Sequence, residues 1–405
     1  MNHMKAIRQL SEIFHADAVA IRRHLHAHPE LSFKEFQTAA FIAQQLSDWG
    51  ISFRTGVAGT GIVAHIEGMH PKSRTIALRA DMDALPIQEA HQKPYASLNP
   101  GVMHACGHDV HTTCLLIALR ILFQLRHQWT GSVRALFQPG EEMAPGGASL
   151  MIAEGVLENP TPAAIFGQHV HPPLPAGMVG FKEGMYMAST DEIYLEVAGK
   201  GGHAALPHQT VDPVSISAQL ITTLQHIISR QTDPIIPSVL SFGSIFSEGG
   251  ACNVIPNKVY IAGTFRTHNE TWRKEACQRI QQLSQAVCHG LGATCTVRVV
   301  RGYPALFNHE ALTRHARAVA QQYLGNENVV ELPQRMTGED FAFYAQVIPA
   351  SFFRLGTGNI DKGITSPVHS DTFDIDEDAL VTGSGLMACL AMQQLPPDLA
   401  VSAAP

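Results

Sequence analysis

Short apolar runs that end in polar, metal-seeking side chains recur through the first half of the chain. Residues 75–80 read as a buried strand closing on Asp81-Met82-Asp83, and 132–137 as a second running into Gln138-Pro139-Gly140-Glu141-Glu142. Residues 163–168 read as a third, ending at His169-Val170-His171. Between the first two, the run Val102-Met103-His104-Ala105-Cys106-Gly107-His108-Asp109-Val110-His111 precedes an apolar helix over 112–125. Nearer the start, residues 5–28 predict a basic helix stopping before Pro29, and Ser32 and Glu35 have the spacing of a capping box for the next helix. Strands and helices alternate from Trp49-Gly50 to Val179, the signature of an α/β layer architecture.

The pattern changes after residue 186. Strand 192–197, helix 213–229, strands 238–245 and 259–264, helix 270–289 and strand 294–300 give the order β-α-β-β-α-β, that of a ferredoxin-like unit. A chain of 405 residues exceeds one ordinary core. The expected organisation is therefore a metal-binding catalytic domain over 1–185 and 301–405, interrupted by a ferredoxin-like domain over 186–300. The tail 396–405 reads as loose.

Composition narrows the class. With 45% hydrophobic and 16% charged residues the chain reads as a globular enzyme, and a net charge of -7 provides no basic footprint for nucleic acid. No run approaches the roughly 18 apolar residues of a membrane span, and no secretory h-region opens the chain. The seven cysteines have no framework spacing, so reduced thiols and a cytoplasmic location are expected.

The candidate chemistry lies at the strand ends. In an extended segment residues two apart face the same way, so Cys106 and His108 can address one ion, and the nearby helix N-terminus favours the thiolate. Of the adjacent acids Glu141 and Glu142, one can ligate a metal while the other serves as a base. The histidines at 169–171 and His369, in Ser366-Pro367-Val368-His369, complete a set large enough for two ions. Any one of the 22 histidines taken alone is more often structural. Asp81 and Asp83 either orient ligating histidines or serve as caps and turns. A thiol hydrolase with Cys106 as nucleophile and His108 as its base is the rival enzyme class.

These residues together resemble the M20 metallopeptidases, in particular the amidohydrolase branch (subfamily D) that includes hippurate, indole-3-acetyl-amino-acid and N-acyl-amino-acid hydrolases. The resemblance runs from Arg23-His24-Leu25-His26 and Pro29-Glu30-Leu31-Ser32 through Arg79-Ala80-Asp81-Met82-Asp83 and Cys106-Gly107-His108-Asp109 to Gln138-Pro139-Gly140-Glu141-Glu142. It continues through Gly199-Lys200-Gly201-Gly202-His203, Asn253-Val254-Ile255-Pro256, Gly338-Glu339-Asp340-Phe341 and His369. It implies a metal-dependent α/β catalytic domain with an inserted ferredoxin-like lid and dimerisation domain. The implied ligands are Cys106, His108, Glu142, His169 and His369, with Glu141 as base and His203 and Asp83 as further catalytic residues. Asn253 and Arg266 match positions that contact the substrate carboxylate. Two divalent ions are implied, Zn or Mn, with Co or Ni as alternatives, in a homodimer acting on N-acyl amino acids. The wider family has His-x-Asp where this chain has Asp81-Met82-Asp83, so Asp81 does not supply that histidine. A dipeptidase or carboxypeptidase using the same site is the close alternative.

Overall fold

The computed structural model describes residues 3–395, so the tail at 396–405 lies outside the described residues. The chain divides into two compact units. One comprises Met1–Gly184, Phe307–Pro333 and Asp340–Pro405, and the other Met185–Leu306 and Gln334–Glu339.

The first unit is built on an eight-stranded sheet whose middle is parallel. Ser132–Gln138, Thr75–Asp81, Ala164–Pro175 and Ala350–Gly358 lie side by side in one direction. The first two are buried throughout, which is why they read as unbroken apolar runs instead of alternating ones. The antiparallel hairpin Ser52–Val57 and Gly61–Glu67 closes one edge, and Val179–Phe181 with Val329–Glu331 the other. Two helices, His108–Gln124 and Ala379–Gln394, are apolar on nearly every side because they pack against each other within the core.

Three differences from the sequence reading have local causes. The first helix is two, His3–Ile13 and His15–Ala27, separated at Phe14. The core helix starts at His108, four residues earlier than expected, because Gly107 takes a left-handed turn (φ 80°) immediately before it. A β-carbon on Gly107 would lie 2.6 Å from Val170 Cγ2, so this tight approach requires glycine. Ser32 and Glu35 do not form a capping box. The first-turn N–H groups of the helix Phe36–Asp48, those of Gln37 and Thr38, are capped by the Glu30 carboxylate at 3.2 and 2.8 Å, while Ser32 and Glu35 reach across the unit instead.

The second unit is a four-stranded antiparallel sheet with the helices Pro213–His226 and Glu270–Gly290. Its strands Asp191–Ala198, Ser238–Ser247, Lys258–Thr267 and Thr294–Arg301 stand in the spatial order second, third, first, fourth. That is the ferredoxin-like order. Side chains from both helices and the sheet make its own core, including Leu195, Leu220, Phe265 and Ile280. Among the described residues no helix is long and apolar enough to cross a membrane.

Candidate metal centre

The carboxyl ends of the parallel strands deliver the site, as expected for an open α/β sheet. Thr75–Asp81 leads to Asp81 and Asp83, Ser132–Gln138 to Glu141 and Glu142, and Ala164–Pro175 carries His169. The Gly107 turn adds Cys106 and His108. His369 arrives from a loop where its own backbone is left-handed (φ 62°) and its N–H donates to the Ala105 carbonyl at 2.7 Å.

These side chains fall into overlapping groups, each with ligand atoms within 4.8 Å of one another: Cys106, His108 and His169; Cys106, Glu142 and His369; and His108 and Glu142 with Glu141. Cys106 belongs to the first two. Its Sγ lies 3.3 Å from His169 Nε2, and Glu142 Oε1 lies 3.3 Å from His369 Nε2. The five residues named for the metal are thus brought together.

The imidazoles are oriented by their outer nitrogens. His108 Nδ1 lies 3.1 Å from Asp83 Oδ1, and His169 Nδ1 2.8 Å from the Val170 carbonyl, which leaves each Nε2 to face the site. His108 Nε2 is buried with no hydrogen-bond partner among the described residues. Its nearest carboxylate oxygens, on Asp81 and Glu142, are 3.8 and 4.0 Å away. An orphaned buried nitrogen facing a thiol and a carboxylate is what a divalent ion would satisfy, so the donor set fits a metal.

Asp81 and Asp83 are themselves saturated by protein donors. Asp81 lies 2.5 Å from His111 Nδ1 and 2.6 Å from Arg79 Nη1. Asp83 accepts from Ser32 Oγ at 2.6 Å and from the N–H groups of Glu141 and Glu142, each at 3.0 Å. His111 escaped the sequence reading although it follows His108 by three residues on one helix face. Both its nitrogens are engaged, Nε2 accepting the Val170 N–H at 2.9 Å, so it braces the site.

The electrostatics are those of an acidic pocket. Burial pushes the Cys106 thiol well up, and the Glu142, Glu141 and Asp81 carboxylates push it further. The helix N-terminus therefore does not by itself yield the thiolate expected from sequence, because burial and three nearby carboxylates outweigh it. Burial opposes the charged form of His108, yet Asp81, Asp83 and Glu142 overcome this and raise it to about 10. His169 is held well below its ordinary value by burial, then by Arg354 and His111. A neutral imidazole is the form that ligates.

The remaining candidates lie in the second unit. His203 and Asn253 meet where the short strands Gly202–His203 and Val254–Ile255 pair antiparallel, with His203 opposite Val254 and the Ala204 N–H donating to the Asn253 carbonyl at 3.0 Å. Both side chains are exposed. Arg266, on Lys258–Thr267, donates from Nη1 to the Met336 carbonyl at 3.3 Å.

A sheet of this topology carrying clustered thiol, carboxylate and imidazole donors at its strand ends defines a metal-dependent hydrolase. The chain belongs to peptidase family M20/M25/M40, whose model matches residues 77–393. It is 44% identical over 304 residues to an N-acyl-L-amino acid amidohydrolase of Geobacillus stearothermophilus, covering 75% of this chain and 81% of that one. It is 41% identical over 367 residues to N-acetyl-L-cysteine deacetylase of Bacillus subtilis, covering 90% and 85%. Among solved structures, the Bacillus subtilis YXEP protein, described as a dinuclear metal binding peptidase from the M20 family, superposes with a TM-score of 0.81 at 35% identity. That match covers 95% of this chain and 99% of that one.

Proposed function

We propose that this chain hydrolyses the amide bond of N-acyl amino acids, releasing a carboxylic acid and a free amino acid. The observation that carries the reading is the pair of donor groups sharing Cys106, with Glu141 beside one of their ligands. Cys106, His108, Glu142, His169 and His369 would hold the ions. Thiolate and imidazole donors favour zinc, with manganese, cobalt and nickel as the alternatives. When bound, such ions supply Lewis acidity that polarises the scissile carbonyl and lowers the pKa of water.

Glu141 is the general base. It is buried and adjoins the ligand Glu142, and its carboxylate takes the proton of the attacking water and passes it to the departing nitrogen. Asp83 acts by position: it holds His108 and the backbone of both glutamates and touches no substrate. His203 is assigned to the developing oxyanion, and Asn253 and Arg266 to the substrate carboxylate, following their match to the family pattern. A homodimer formed through the second unit is supported by the edge strand Ser238–Ser247. It is paired on one side only and displays Ile245 and Phe246, 52% and 60% exposed.

The test is Glu141→Gln, assayed against hippurate, N-acetyl amino acids and dipeptides with metal content measured in parallel. The reading expects cleavage of acylated amino acids that is lost with chelator and restored by added ion. It also expects Glu141→Gln to be inactive with its metal retained. Preference for dipeptides would shift the assignment to a dipeptidase, and an active Glu141→Gln would remove the base.

A further inference from the structure

Glu35 presents an unexplained cost. Its carboxylate is fully buried, and no cation pairs with it among the described residues. Burying a carboxylate without a counter-ion is unfavourable, and a helix cap would not require it. The oxygens are nevertheless fully used. Oε1 accepts the Gly140 N–H at 2.9 Å and the Phe33 N–H at 2.8 Å, and Oε2 accepts the Thr60 hydroxyl at 2.6 Å.

The neighbouring residues converge on the same turn. Phe33, itself left-handed at φ 62°, lays its ring on Gly140 so closely that a β-carbon there would sit 2.4 Å from the ring Cζ. Ser32 donates to Asp83, which in turn accepts from Glu141 and Glu142. Three successive amides, those of Gly140, Glu141 and Glu142, are thereby gripped by two buried carboxylates.

We infer that Glu35 is a positioning residue for the general base: with Phe33 it clamps the Gly140 end of the turn and fixes where the Glu141 carboxylate points. This rests on the reading of Glu141 as the base. Asp83 grips ligand and base together, whereas Glu35 acts one residue ahead of the base and contacts none of the five ligands. Loosening it therefore displaces the proton acceptor while sparing the metal, and a displacement on the order of 1 Å at such a group costs up to about a hundredfold in rate.

The experiment compares Glu35→Ala, Glu35→Gln and Thr60→Val for kcat, KM, metal content and Tm, with Glu141→Gln alongside. Glu35→Ala is expected to keep wild-type metal content and KM while kcat falls roughly ten- to a hundredfold. Glu35→Gln, whose amide oxygen can still accept from Gly140, should recover kcat to within about fivefold of wild type, since position is the role. Thr60→Val, which frees only one Glu35 oxygen, should lower kcat by a smaller factor, and it decides the matter if Glu35→Ala does not fold. A lowered Tm with unchanged kcat, or loss of metal in step with activity, would overturn the inference. An inactive Glu141→Gln beside a fully active Glu35→Ala would refute the clamp alone, and an active Glu141→Gln would refute the base on which it rests.

Discussion

Replacing Asp83 with asparagine probes the arrangement that joins ligand to base. The native carboxylate accepts four hydrogen bonds, from Ser32 Oγ, His108 Nδ1 and the Glu141 and Glu142 amides, at 2.6 to 3.1 Å. Asparagine keeps one oxygen. If that oxygen stays with His108 and Glu141, the new NH2 faces the Ser32 hydroxyl, which can rotate to accept, and the Glu142 N–H, which cannot. One buried amide then loses its acceptor at about 1–3 kcal/mol. The weaker acceptor at His108 Nδ1 also makes the opposite nitrogen a poorer ligand. Loss of such an outer partner typically costs ten- to a hundredfold in metal affinity, about 1.4–2.7 kcal/mol. Competition with a chromophoric chelator measures the affinity, elemental analysis the stoichiometry and thermal unfolding the stability. Asp83→Asn is expected to show weaker metal binding, a lower Tm and a depressed kcat that excess metal only partly restores. Wild-type affinity and kcat would mean that the four hydrogen bonds do not position the site.

Two further predictions concern residues outside the site. Asp374 accepts from Arg22 at 2.8 Å and Tyr95 at 2.9 Å and pairs with Lys93; burial raises its carboxyl, but Arg22 and Lys93 prevail and hold it down at about 2. Because the folded value lies below the ordinary one of 3.8, the charged form stabilises the fold above about pH 4. That contribution, about 2 kcal/mol, is lost as pH falls towards 2. Asp374→Asn should therefore lower the urea midpoint at neutral pH and flatten its fall between pH 4 and 2, whereas parallel curves for the two proteins would disprove the linkage. If the proposed homodimer forms through the open edge of the second unit, Phe246→Lys should halve the mass seen by light scattering while metal content holds; an unchanged mass would count against that interface.

The sequence by itself determined the buried strands that lead to the donors, the element order of the second unit and the segments that carry donors. Continuous apolar runs mark strands buried on both faces, and the β-α-β-β-α-β series of the second unit follows from periodicities that are local properties of the chain. The placement of Glu142 just beyond a strand was legible for the same reason, whereas His169 lies within Ala164–Pro175, which runs past the expected end, and Cys106 stands in the turn before the helix His108–Gln124. Tertiary structure decided what each group does. Ser32 and Glu35 have a cap's spacing, yet their partners are Asp83 and Gly140, 51 and 105 positions away, and no local pattern encodes such contacts. Cys106 stands near a helix N-terminus, but burial beside three carboxylates reverses the effect expected on its thiol. His111 looked like one histidine among many until its two nitrogens were seen to join Asp81 to the strand that carries His169. Sequence reports which side chains are near in the chain, whereas charge, hydrogen bonding and protonation depend on which are near in space.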